Sequence, residues 1–249
     1  MDKTLLTTIK RALIFIGIYS STFFILSCKK DLEKKGIIHH KEKRTTRIEN
    51  DLVSEFPTFG NKITDFVIAP YEIQYQTEGF LDNDELEDVV IILHNKSDKL
   101  SSRPTLVLLK QPKGGYKIQE TSWVAIGPEY TVDEYKIYDT ENMSLTNKEL
   151  IFSMYGVGPS GNKETIYRFV ENTLILVNIN TFNMGAGGQS TMDYNLLTGD
   201  INFEEVNTMI DSMPCTTTKR VFKLNHKIFF NKDDPDDVLD TIFKAVLAV

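Results

Sequence analysis

At 249 residues, with a net charge of -7 and 41% hydrophobic residues, the chain is long enough to bury a core without disulfides or metals. Two cysteines exclude a disulfide framework, four histidines leave little for a zinc site, and the acidic balance excludes nucleic acid as a natural partner. The charge is uneven: residues 29–47 carry eight lysines and arginines against three acids, so the body that follows is strongly acidic.

Lys3, Lys10 and Arg11 precede an uncharged, mostly apolar run from Ala12 to Leu26, closed by Ser27 and Cys28. That is the layout of a secretory signal peptide, and at about 15 residues the run falls short of the roughly 20 that span a bilayer. The stretch Ile25-Leu26-Ser27-Cys28 resembles the bacterial lipobox. The resemblance implies that residues 1–27 are removed and that Cys28 takes a diacylglyceryl group, holding the mature chain to a membrane of the cell envelope. Lys29-Lys30-Asp31-Leu32-Glu33 is similar to the lysine-plus-acid signal behind the cysteine of surface-exposed lipoproteins in some Gram-negative bacteria. An ordinary solvated charge run fits equally well, so the periplasmic and surface faces of the outer membrane both stay open. Residues 28–55 read as the lipidation site and a flexible basic tether, too poor in large apolar side chains to order. Its bases suit anionic headgroups, and His39 and His40 within it read as solvated.

Residues 56–249 read as a single mostly β domain. Runs rich in β-branched and aromatic residues recur between turn residues: Tyr71 to Thr77, Val89 to His94, Thr105 to Lys110, Tyr116 to Gln119, Tyr135 to Tyr138, Leu150 to Tyr155, Thr165 to Val170, Leu174 to Phe182 and Arg220 to Leu224. Short strands at this spacing predict a mainly β fold, an antiparallel sandwich or open barrel. Val89-Val90-Ile91-Ile92-Leu93 lacks alternation and predicts a central strand covered on both sides. Cys215 reads as a buried small apolar residue. The chain closes with an amphipathic helix: Asp234 caps it, Pro235 takes the first helical position, and Val238, Leu239, Ile242, Phe243, Val246 and Leu247 form one apolar stripe.

The segment Glu78-Gly79-Phe80-Leu81-Asp82-Asn83-Asp84-Glu85-Leu86-Glu87-Asp88-Val89-Val90 resembles the acidic, calcium-holding loop of FG-GAP or VCBS-type repeats. The wider pattern, with Tyr167-Arg168-Phe169 and the turn Leu196-Leu197-Thr198-Gly199, is similar to uncharacterised exported bacterial proteins having one such segment. The resemblance puts Asp82, Asp84 and Asp88 at metal-ligand positions. It also puts Phe80 where the first carboxylate belongs and Glu85 where a turn glycine belongs. A degenerate loop of this kind binds calcium weakly or not at all, and no other cofactor is expected. Gly156-Val157-Gly158-Pro159-Ser160-Gly161 satisfies G-x-G-x-x-G, but strand-like residues follow instead of a helix, so it reads as a hairpin loop. Gly185-Ala186-Gly187-Gly188 is a second glycine loop.

For function, the leading expectation is a lipid-anchored, non-catalytic binding or scaffolding module for a protein or glycan ligand. A carboxylate-dependent envelope hydrolase is the alternative, with His94 or His226 as a conceivable base but no nucleophile identifiable from spacing. An inhibitor or immunity protein is a third reading, since an acidic folded body on a membrane tether suits it.

Overall fold

A computed structural model describes residues 56–156 and 161–247; the expected signal peptide, Cys28 and the basic tether lie outside the described residues. Strands β1 (Phe59–Gly60), β2 (Tyr71–Gly79), β3 (Asp88–Asn95), β4 (Thr105–Lys110) and β5 (Tyr116–Ser122) form an antiparallel sheet in the order β1-β5-β4-β3-β2. Strands β6 (Thr140–Thr146), β7 (Glu149–Tyr155), β8 (Asn162–Val170), β9 (Thr173–Gly185), β10 (Gly188–Asn195), β11 (Asp200–Asn207) and β12 (Cys215–Val221) form a second, a seven-stranded meander in which every neighbour in space is a neighbour in sequence. Each sheet is open, so the arrangement is a sandwich and not a barrel. At the seam, β2 runs beside β6 without ladder pairing, and a Cβ on Gly79 would stand only 2.8 Å from that of Leu145.

The core between the sheets follows from period-two patterning. Val90 and Ile92 of β3 and Val107 of β4 face Leu150 and Phe152 of β7, Tyr167 of β8, Ile179 of β9 and Tyr194 of β10. The other face of β3 and β4, with Val89, Ile91, Leu93, Leu106 and Leu108, is covered by Phe56, a 3-10 turn at Ile63–Phe66, and Trp123. That second core explains the continuous apolar run: β3 is central and both its faces are buried, as the sequence predicts.

The closing segment ties the two sheets together. Ile228 to Phe230 pairs with the start of β9, where the Leu176 N–H donates to the Ile228 carbonyl at 2.9 Å and the Phe230 N–H donates to that of Leu174 at 3.0 Å. The Ser122 hydroxyl at the end of β5 donates to the Phe230 carbonyl at 2.5 Å, and the Phe230 ring packs edge-on against Tyr167. Helix α1 (Pro235–Ile242) follows, capped as expected: the Asp234 carboxylate accepts from the Asp236 N–H at 2.9 Å. Val238, Leu239 and Ile242 are buried against the inter-sheet core, and Lys163 of β8 pairs with Asp236. Beyond Ile242 the backbone widens into a π turn at Phe243–Leu247; Phe243 is half-buried, and the side chains of Val246 and Leu247 lie outside the description.

Three expectations need correction. Tyr135 to Tyr138 is not a strand. It leaves a tight turn in which the Glu134 N–H donates to the Thr131 carbonyl and Glu134 has φ +65°, and regular pairing starts only at Thr140. The last strand lies at Cys215–Val221 instead of Arg220 to Leu224, because its register is set by β11, with Cys215 opposite Val206. Cys215 is half-buried, not buried, because β12 is the edge strand of its sheet.

Candidate functional site

The acidic loop joins β2 to β3, and its three aspartates do different things. Asp88 is fully buried: one carboxylate oxygen accepts from the Leu81 and Asp82 N–H groups at 3.1 and 3.4 Å, the other from the Lys110 N–H at 3.0 Å. It therefore pins the loop to β4. Burial pushes its pKa up, and the bonds from Lys110 and Leu81 oppose that rise. Asp82 accepts from the Asp84 N–H and Asp84 from the Leu86 N–H, each at 2.8 Å, two successive turns stabilised by side chains. Phe80, where the FG-GAP resemblance would put the first ligand, is 48% exposed. Glu85 is not among the residues with positive φ, so the backbone follows another path than a glycine would permit there. Lys148, in the β6–β7 turn, reaches over to donate to Asn83 at 2.9 Å.

A second polar cluster lies where the sheets meet. Arg103, just before β4, makes a two-pronged pair with Glu141 of β6 at 2.5 and 2.9 Å, and the two side chains are 4% and 2% exposed. Arg103 also donates to the Gly127 carbonyl at 2.9 Å and to Gln74 at 3.2 Å. Gln74 donates onward to Glu129 at 2.7 Å, and Glu129 pairs with Lys136 at 3.1 Å near the surface. Tyr75 stands beside this chain, its phenol pKa raised by burial and by Glu141. Every charge in the cluster has an opposite partner, so it acts as a clasp between sheets.

The third polar feature is the outward face of the seven-stranded sheet. Ladder pairing places Ser153, Glu164, Asn180, Asp193, Asn202 and Lys219 directly opposite one another in a row across β7 to β12. Glu164 accepts from the Ser153 hydroxyl and from the Asn180 amide, each at 3.1 Å. Asn178, two residues from Asn180 on the same face, donates to Asp193 at 2.9 Å. The amide oxygens of Asn178 and Asn202 are buried and have no hydrogen-bond partner among the described residues. Two ladder positions along, and so on the same face, Tyr155, Asn162 and Phe182 share a row, with Tyr155 46% exposed and Phe182 partly so. Beside Asp193, Asn202 and Lys219 opens a shallow depression of about 540 Å³.

The structure does not bring the candidate bases into a catalytic group. His94, at the end of β3, contacts Glu72 at 2.9 Å, and its other ring nitrogen is buried without a partner. His226 is exposed, and its ring nitrogen bonds the side chain of the neighbouring Asn225 at 2.7 Å. Gly156 and Gly161 bracket the β7–β8 hairpin, where the Gly156 N–H donates to the Gly161 carbonyl at 3.0 Å; residues 157–160 lie outside the description. The second glycine loop is the tight β9–β10 turn, with Gly187 at φ +103°.

The outward row was not anticipated from sequence. Its one readable signal is Asn178 and Asn180, spaced by two within the apolar run Leu174 to Phe182, where a wet-face strand position ordinarily prefers a β-branched residue. Among the described residues no helix is long and apolar enough to cross a membrane. No protein-family model, no curated protein and no solved structure matches this chain.

Proposed function

We propose that the protein is a lipid-anchored module of the cell envelope that binds a partner through the outward face of its seven-stranded sheet and catalyses nothing. The observation that carries this reading is the unbroken row of short polar side chains from Ser153 to Lys219, held in register by continuous ladder pairing. Rigid strands position such groups better than loops do. Three of the carboxylates are committed to structural bonds: Asp88 to three backbone N–H groups, Glu141 to Arg103, and Glu164 to Ser153 and Asn180. The acidic loop, similar to an FG-GAP segment, serves as a turn that fastens β2, β3 and β4 together.

Anchoring rests on Cys28 and the run before it. Lipid at Cys28 places the following bases near anionic headgroups, each worth about 1 kcal/mol there, while the acidic domain is held off the surface. Its home is the outer membrane, on whichever face Lys29 to Glu33 directs. Metabolic labelling with a fatty-acid analogue tests this: wild type takes the label and Cys28→Ala does not. A Cys28→Ala protein that still labels would sink the lipoprotein reading.

A further inference from the structure

Resting on that binding-module reading, we propose that the outward face of β8 to β11 is a binding site for a neutral glycan, a sugar chain with vicinal hydroxyls and no charge. The first ground is composition. Asn178 and Asn180 in β9, Asp193 in β10 and Asn202 in β11 occupy mid-strand positions on a face open to water. Asparagine and aspartate are poor strand formers, and threonine or valine would stabilise the same ladder. Local choices that work against the fold concentrate where a surface has a task.

The second ground is hydrogen-bond capacity. The amide oxygens of Asn178 and Asn202 are buried with no donor among the described residues, which leaves acceptor capacity for a ligand hydroxyl. The Cβ–Cγ torsion that carries each amide is soft, so Asn202 can turn its oxygen outward, and Asn178 can do so by giving up its bond to Asp193. Asp193 is exposed and retains acceptor sites beyond the one that Asn178 fills. A hydroxyl both donates and accepts, and two on adjacent carbons match the paired N–H and C=O of an amide. A row that is rich in acceptors, with amide donors interleaved, therefore fits a polyol better than it fits a purely accepting anion.

The third ground is the aromatic row beside it. Tyr155 and Phe182 flank Asn162 on the same face, offering apolar plates for the C–H face of a sugar ring two ladder positions from the amides. Charge sets the class: Glu164 and Asp193 outnumber Lys219 along the row, which disfavours sulfated or phosphorylated chains. A protein partner would call for an aromatic, Met and Arg centre, and the centre of this face is short amides.

The test uses the full-length lipoprotein in a detergent without sugar headgroups. It is titrated calorimetrically with maltohexaose, cellohexaose, mannohexaose and chitohexaose, and with a heparin oligosaccharide as the anionic comparison. At least one neutral hexasaccharide should bind, and Asn180→Ala and Asp193→Ala should each weaken it by about tenfold or more, the factor that goes with losing one good hydrogen bond. Asn202→Thr should weaken binding while raising the melting temperature, a pairing of effects that a merely structural residue does not produce. Lys117→Ala, on the other sheet, should change nothing. The proposal is overturned if no neutral chain binds, if only heparin binds, or if the three variants retain wild-type affinity. Should envelope pull-downs capture a protein whose retention is lost in those variants while no glycan binds, the glycan assignment fails and the binding module stands.

Discussion

Replacing Glu141 by alanine isolates what the inter-sheet clasp contributes. In the folded protein the Arg103 guanidinium is almost wholly buried and has three acceptors: the Glu141 carboxylate, the Gly127 carbonyl and Gln74. Alanine removes the carboxylate that pairs with Arg103 and leaves two neutral acceptors. At an effective dielectric of about 20 a pair roughly 4 Å apart gains about 4 kcal/mol, and breaking a buried pair from one side costs about 3 to 5 kcal/mol. Against a typical total of about 5 to 15 kcal/mol, that loss moves the urea midpoint a long way. The double variant Arg103→Met with Glu141→Leu removes both charges and should recover most of the loss, since buried pairs are often near neutral against apolar replacements. It leaves the Gly127 carbonyl and the Gln74 side chain short of a donor, about 1 to 3 kcal/mol each, so recovery should be incomplete. Urea denaturation of wild type, Arg103→Met, Glu141→Leu and the double variant closes the cycle, with Glu141→Ala measured beside it. A Glu141→Ala loss below about 1 kcal/mol, the range of exposed pairs, would show that water reaches Arg103 and would refute the reasoning.

The remaining predictions concern the last helix and the acidic loop. Removing residues 235–249 takes away the buried side chains of Val238, Leu239 and Ile242 and uncovers the inter-sheet core they pack on; at about 1.5 to 3 kcal/mol for each side chain, the loss approaches the whole stability, so the truncated chain should melt far lower or fail to fold. An unchanged melting temperature would instead make the helix a free element. Because burial raises the pKa of Asp88 when folded, its contribution is full below the ordinary aspartate range and is lost as pH rises through the raised value. The stability of wild type relative to Asp88→Asn should therefore improve as pH falls from 7 toward 4.5, and a slope of the opposite sign in paired denaturation curves would count against it. Calcium should bind more weakly than about 10 μM by calorimetry, since both Asp88 oxygens already accept backbone bonds and Phe80 supplies no ligand. A tighter constant would overturn this, and Phe80→Asp with Glu85→Gly should create or tighten the site if the loop is built like its likeness.

Much of the β architecture is written locally. Val89 to Leu93 lacks polar alternation because both sides of β3 are covered, and Asp234-Pro235 starts the helix where capping chemistry says it should. Sequence also carries the lipobox-like stretch at Cys28, which lies outside the described residues. Strands such as β10, Gly188 to Asn195, are nearly illegible: only Met192 and Tyr194 of that stretch are buried, and Gly188, Ser190, Asp193 and Asn195 favour turns. They are strands because β9 and β11 offer backbone partners on both sides, a non-local gain that overrides weak propensity. The same holds for function. Arg103 and Glu141 are 38 residues apart and meet only because β6 turns back beneath the first sheet. Ser153, Glu164, Asn180, Asp193, Asn202 and Lys219 are scattered through the sequence, and ladder register alone aligns them. Local spacing determines where strands, turns and a lipid site can lie; which side chains stand opposite one another is decided by pairing between distant segments, because a shift of one residue would send each of them to the other face.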